Sequence, residues 1–277
     1  MKAVPEQTIL ITGATDGLGR AVARELAAQG ASLILHGRSA AKGADLLAEL
    51  RAAGATGRLS YELADFSSLE DIGKLADRIL TTYDRLDVLV NNAGIGVELA
   101  RQESQDGLEL TFQVDYLAAY ILSCRLAPLL VSSAPARIIN VSSAGQAPID
   151  FRDVMLERNW DGVQAYCQAK LAQIALTFDL AERLRGTGVT ANALHPASYM
   201  PTKMVVNLFT PQSTVADGMR NTLRLITDPA LEDVSGVYFN RSTRARASAQ
   251  AYDEASRARL RHLSESLTGV AFPASFG

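Results

Sequence analysis

Tyr166 and Lys170 stand one helical turn apart in the stretch QAYCQAK, residues 164–170. On a helix, positions i and i+4 share a face, so both side chains can address one cleft. The chemistry such a pair offers is proton transfer at an oxygen atom. A free tyrosine ionises near about pH 10, too high for an efficient acid–base catalyst at neutrality. A neighbouring ammonium favours the phenolate and is expected to pull that value down. A buried tyrosine beside a lysine that snorkels to solvent would show the same spacing, so the surrounding sequence must decide.

A second chemical signal is TGATDGLG, residues 12–19, between an apolar run and a helical pattern. Gly13 permits a tight turn, Gly17 lets a phosphate approach the backbone, and Gly19 allows close helix–sheet packing. The helix that follows offers free N–H groups and a partial positive charge to a pyrophosphate. Thr15, Asp16 and Leu18 complete the candidate cofactor contacts of this loop. The next strand ends LILHGRS, with Gly37 where NAD-binding proteins carry an acid for the ribose hydroxyls. Arg38 and Ser39 follow. An acid would repel a 2′-phosphate, whereas a guanidinium clamps it with charge-assisted hydrogen bonds, so NADP(H) is expected over NAD(H).

These residues need a rigid scaffold. Runs of strand length recur at 8–12, 32–36, 59–63, 86–91, 137–142 and 189–195, separated by segments with helical spacing. Their apolar residues are continuous rather than alternating, which means burial on both faces of a parallel sheet. The expected fold is therefore α/β: one doubly wound Rossmann-fold domain over 1–277, with about seven parallel strands and helices on both faces. Hydrophobic residues are 48% of the 277, enough for a large core, and a formal charge of −3 argues against a nucleic-acid partner. No apolar run reads as long enough to span a bilayer and no signal peptide is expected. Cys124 and Cys167 have no metal-ligand spacing, so no metal site is expected, and free thiols fit a reducing cytoplasm.

Two segments interrupt the alternation, 144–163 and 196–214, each after the carboxyl end of a strand, where open α/β sheets bind ligands. Phe151, Met155, Trp160, Tyr199, Met204 and Phe209 make them more apolar than connections require. As a group these residues read as walls of a substrate cleft, with Trp160 and Tyr199 as candidate substrate contacts; packing against the body is the alternative for each.

In order and context, TGATDGLG, the AD at 64–65, NNAG at 91–94, NVSS at 140–143 and YCQAK resemble the short-chain dehydrogenase/reductase family over essentially the whole chain. The stretch AYCQAKLAQIALTFDLAERLRGTGVTANALHP is similar to the retinol dehydrogenase-like branch. The resemblance implies that Tyr166 is the acid–base residue, that Lys170 lowers its pKa and holds the nicotinamide ribose, and that Ser143, or failing it Ser142, orients the substrate oxygen. It further implies that Asp65 accepts a hydrogen bond from the adenine amino group, with Phe66 beside it as a cofactor contact, that Asn91, Ala93 and Gly94 hold the adenosine half, and that Thr202 meets the carboxamide, although Thr202 sits one place later than usual. FQVDYLAAY departs from the family by placing Asp115 where an asparagine usually serves the proton relay. Its carboxylate could pair with Lys170, or only its backbone could matter. The implied activity is NADP(H)-dependent interconversion of a small apolar carbonyl compound and its alcohol. A redox-silent NADP(H)-binding protein and a specialised ketone or enone reductase are the alternatives. Helices at about 104–131 and 162–186 pair across a two-fold in many such proteins, so a homodimer or tetramer is a further expectation, with Leu171, Ile174 and Phe178 divided between core and interface.

Overall fold

Strand-forming apolar runs produce the sheet at the expected places, with ends displaced by no more than two residues. The computed structural model describes residues 2–202 and 209–274. Its strands are β1 (Thr8–Ile11), β2 (Ser32–Gly37), β3 (Leu59–Leu63), β4 (Val88–Asn91), β5 (Ala136–Val141), β6 (Val189–His195), β7 (Val237–Asn240) and β8 (Thr243–Ala245). They lie in the order β3-β2-β1-β4-β5-β6-β7-β8. The first seven pair in parallel and β8 pairs antiparallel with β7. The sheet thus has eight strands rather than about seven. The β7–β8 hairpin was not located from the pattern because its strands have only four and three residues and β8 is largely exposed.

The helices are α1 (Gly17–Ala28), α2 (Ala40–Ala52), α3 (Leu69–Thr82), α4 (Leu110–Phe112), α5 (Ala118–Ser132), α6 (Gly162–Arg183), α7 (Val215–Thr227) and α8 (Glu254–Thr268). Alternate residues of each strand feed two apolar layers. Leu10 and Ile138 join α3, α5 and α6 on one face; Ile9, Ile11 and Ile139 join α1 and α7 on the other. Every residue of β5 and β6 is buried, polar Arg137, Asn140, Thr190, Asn192 and His195 included, as befits central strands covered on both faces. The chain order reverses at β1, whose neighbours are β2 and β4, and this opens a crevice beyond the strand carboxyl ends.

Two expectations change in three dimensions. Leu110–Ser132 is long and apolar enough to cross a membrane by length and composition, which corrects the reading that no run is. The same window is 78% buried, as befits a core helix under the sheet. The α6 residues expected to be divided between core and interface lie in the core, and the chain's own C-terminal segment packs against α6 and the turn before α5. Arg257 and Arg261 of α8 donate to Asp179 at 2.8 and 2.5 Å, Tyr116 bonds Ser264 at 2.7 Å, and Tyr252 stacks on Phe178 at 4.9 Å. Leu171, Ile174 and Phe178 all lie inside this single chain.

Candidate active site

Gly13 turns β1 toward α1 with φ +65°, and a Cβ there would lie 2.8 Å from the Ala93 backbone. That closeness locks the glycine loop to the NNAG loop. Thr12 Oγ1 accepts from the Asn92 and Ala93 N–H groups, both at 2.9 Å, and the Asn92 amide donates to the Thr12 carbonyl at 2.8 Å. Gly17, also left-handed, would touch the Thr202 methyl at 3.1 Å if it carried a side chain. Thr202 therefore sits over the loop, despite its displaced position in the sequence. Asp16 caps α1 by accepting from the Gly17 N–H at 2.9 Å and lies 3.8 Å from Lys42.

His36 is the residue that sequence reasoning missed. Its Nδ1 accepts from the Gly13 N–H at 3.3 Å, its Nε2 faces the Ala64 carbonyl at 3.1 Å, and its ring stacks on Phe66 at 4.1 Å. One imidazole thereby ties together the ends of β1, β2 and β3, which carry the candidate cofactor contacts. Burial pushes His36 down to about 4, so it is neutral at pH 7 and can accept and donate at once. Burial and the Arg241 guanidinium push His195 down to about 4 as well. Between about 6.5 and 4 the unfolded chain takes up protons that these folded imidazoles refuse. Stability should therefore be full above pH 6.5 and fall by up to roughly 3 kcal/mol per histidine as pH drops to 4. Urea unfolding at pH 7 and pH 4.5 measures this. In His36→Gln, which keeps a donor and an acceptor, the slope should drop by about half; an unaltered slope would refute the assignment.

At the end of β2, Arg38 is exposed and makes no ion pair among the described residues. Ser39 caps α2 through the Lys42 N–H at 3.4 Å, and Tyr61 donates to the Ser39 carbonyl at 2.8 Å. Asp65 accepts from the Ser67 N–H at 3.0 Å, while Phe66 is buried beneath His36. Asn91 is buried, its amide nitrogen donating to Asn140 at 2.8 Å and Ser123 at 3.0 Å, which braces β4 against β5 and α5. The close-packed Gly13 and Gly17, the N-terminus of α1 and the exposed guanidinium of Arg38 fit a dinucleotide bearing a 2′-phosphate.

At the other end of the crevice, α6 presents Tyr166 and Lys170, with Nζ 5.5 Å from the phenol ring centre. Ser142 is committed elsewhere, donating to the Lys170 carbonyl at 2.8 Å and so fixing β5 to α6. Ser143 accepts from the Gly145 N–H at 3.0 Å, and its Oγ and the Tyr166 ring edge both flank Gly145, 3.4 and 3.9 Å from the place a Cβ would take there, which favours it over Ser142 as the substrate-orienting hydroxyl. Asp115 stands on a π-helical turn, Gln113–Leu117, between α4 and α5. The wider turn aims its carboxylate at α6: Oδ2 lies 3.0 Å from Lys170 Nζ, and Oδ1 accepts from the Ile95 N–H at 2.7 Å. Lys170 also reaches the Val141 carbonyl at 3.4 Å.

The electrostatics correct one expectation. Burial raises the Tyr166 phenol above its ordinary value and outweighs the opposing Lys170 ammonium and Ser143 hydroxyl, while Asp115 adds to the rise. Burial also works against the Lys170 charge, but Asp115 and Tyr166 together win and hold the lysine above its ordinary value. The Asp115 carboxyl is itself pushed up by burial, against the pull of Lys170 and the Ile95 N–H.

The apolar segments divide. Phe151 lies under the Arg259 guanidinium at 4.8 Å, and Met155 packs against the core, so both are body contacts. Trp160 is half-buried, with its indole N–H unpartnered among the described residues. Tyr199 is exposed, left-handed at φ +45°, and meets Phe209 in a tilted ring pair at 5.0 Å. Met204 lies outside the described residues.

This arrangement of glycine cradle, serine, tyrosine and lysine is that of a dehydrogenase, and the comparisons agree. The short chain dehydrogenase family profile matches residues 7–213. Retinol dehydrogenase 12 of Mus musculus is 33% identical over 96% of this chain and 88% of its own length. Retinol dehydrogenase 14 of Homo sapiens is 34% identical over 95% of this chain and 87% of its own. Among solved structures, a Shigella flexneri 2a chain given as a short chain dehydrogenase complexed with NADP is 25% identical, with TM-score 0.70, covering 85% of this chain and 97% of that one. The chain belongs to the short-chain dehydrogenase/reductase family, in its retinol dehydrogenase-like branch.

Proposed function

We propose that this protein is an NADP(H)-dependent oxidoreductase that interconverts a small apolar carbonyl compound and its primary or secondary alcohol. The observation that carries the reading is the convergence of Ser143 and the Tyr166 ring beside Gly145, with Lys170 one turn further along α6 and its Nζ 5.5 Å from that ring. When bound, the nicotinamide supplies or accepts the hydride. Ser143 donates a hydrogen bond to the substrate oxygen and orients it. Tyr166, kept protonated by burial, delivers its proton to the oxygen that becomes an alcohol, and takes it back in oxidation. Lys170 holds positive charge beside the phenol and steadies the phenolate left behind. Gly13, Gly17, Gly19 and the start of α1 would hold the pyrophosphate, Arg38 the 2′-phosphate, and Asp65 and Phe66 the adenine end. The relatives' names make retinol and retinal the first pair to try, and the two unpaired cysteines fit a cytoplasmic setting.

The test is steady-state turnover followed at the nicotinamide absorbance, with retinol, benzyl alcohol, cyclohexanol and the matching carbonyl compounds. Measurable turnover with at least one pair is expected; a protein that binds NADPH and turns over none would be the redox-silent alternative. Calorimetric titration should find NADPH bound more tightly than NADH, because a two-pronged phosphate contact is worth roughly 1.5–3 kcal/mol. Arg38→Ala should erase most of that difference. Equal affinities in the unmodified protein would remove the argument from Arg38.

A further inference from the structure

Beyond Ser143 the chain leaves β5 and runs to α6 with no regular secondary structure to hold it. Its backbone groups must find partners elsewhere, and two glutamine side chains supply some of them, each also linking the segment to residues about a hundred positions away. Gln146 donates from Nε2 to the Ser143 carbonyl at 3.1 Å, and its Oε1 accepts from the Ser248 N–H at 2.7 Å. Gln250 accepts from the Ile149 N–H at 2.7 Å and donates to the Ile149 carbonyl at 3.1 Å. Its amide thus satisfies both backbone groups of one residue, as a neighbouring strand would. Tyr238 of β7 adds a third restraint, donating to the Ser143 carbonyl at 3.0 Å.

The segment holding these partners is itself anchored to the helix that carries the tyrosine. Tyr252 stacks on Phe178, and Arg257 joins Asp179 at 2.8 Å and Glu182 at 2.7 Å. The C-terminal segment therefore clamps two parts together, the loop bearing Ser143 and the helix bearing Tyr166. Their relative placement decides whether hydroxyl and phenol meet at one substrate oxygen. Exposure does not explain the arrangement: Gln146 and Gln250 are half-buried, and every polar atom of their amides named above faces a backbone partner rather than solvent.

We propose that Gln146 and Gln250 are positioning residues, through which the C-terminal segment sets Ser143 against Tyr166. The proposal rests on the assignment of Ser143 and Tyr166 made above. Neither glutamine touches the reacting atoms.

Gln250→Met and Gln146→Met keep the side-chain length and remove both hydrogen bonds. Each is compared with Tyr166→Phe on the fastest alcohol of the panel. With NADPH affinity unchanged, kcat should fall about tenfold, the scale of a sub-ångström misplacement. The alkaline limb of oxidation should move to higher pH, because a loosened Ser143 no longer favours the phenolate. Amide hydrogen exchange provides a readout independent of turnover: residues 145–151 should lose protection while α6 keeps it. A merely structural role would lower the melting temperature and leave the kcat and pH limb of the folded protein where they were. Folded variants with unchanged kcat, limb and exchange would overturn the proposal; if one variant does not fold, the other decides. If Tyr166→Phe is inactive while both methionine variants match the parent, only this proposal fails. If Tyr166→Phe keeps full turnover, or no panel member reacts, the underlying assignment fails and takes the proposal with it.

Discussion

Tyr166→Phe is expected to lose turnover by about 10²–10⁴-fold, the usual contribution of a positioned general acid–base group. That corresponds to roughly 2.7–5.5 kcal/mol of barrier. The substitution removes one oxygen from a half-buried ring and leaves the packing of α6 intact, so folding should be little affected. NADPH affinity should stay within about twofold, because the phosphate contacts lie at the far end of the crevice, on the glycine loop and Arg38. The phenol's chemistry is also set by its surroundings: burial keeps it protonated, which suits delivery of a proton in reduction. In oxidation the phenolate is the needed form, so that direction should be favoured by alkaline pH. Stopped-flow and steady-state rates in both directions measure the effect. A variant retaining more than a tenth of parental kcat would mean that another group supplies the proton.

The second large effect is expected at Asp115, where this chain departs from its family. The carboxylate and the Lys170 ammonium are both buried and 3.0 Å apart. Removing one partner of such a pair leaves an uncompensated charge and typically costs about 3–5 kcal/mol. Asp115→Leu should therefore lose about that much stability in urea unfolding, together with the hydrogen bond to Ile95. Asp115→Asn is the gentler change, since an amide can still accept from Ile95. It removes a negative charge that opposes ionisation of Tyr166. Charges about 4 Å apart interact by about 4 kcal/mol at an effective dielectric of 20. Even a third of that moves a pKa by roughly one unit. Asp115→Asn should accordingly stay active and shift the alkaline limb of alcohol oxidation about one unit toward lower pH. An unmoved limb would mean that the carboxylate does not act on the phenol. Complete loss of activity would mean that the proton path runs through the carboxylate itself.

Much of this protein was legible in one dimension because the responsible forces are local. The pitch of a helix puts Tyr166 and Lys170 on one face wherever that helix lies. Continuous apolar runs announced six strands, since a strand covered on both faces cannot afford polar alternation. Gly13, Gly17 and Gly19 marked their loop because a turn with positive φ and a close backbone approach exclude a side chain. The preference for Ser143 over Ser142 came from the motif alone; its physical reason, that Ser142 is committed to the Lys170 carbonyl on α6, needed the fold. The pairing of Asp115 with Lys170 required the π-helical turn that aims one helix at another. His36 gave no signal, since its value lies in three loops that converge only in the folded sheet. The packing of α8 on α6, and the reach of Gln250 to Ile149, join residues far apart in the chain. Local periodicity and backbone stereochemistry are written into neighbouring residues and so belong to the sequence. Burial and the neighbours of a charge are set by segments distant along the chain, and it is these that decide whether Tyr166 carries its proton.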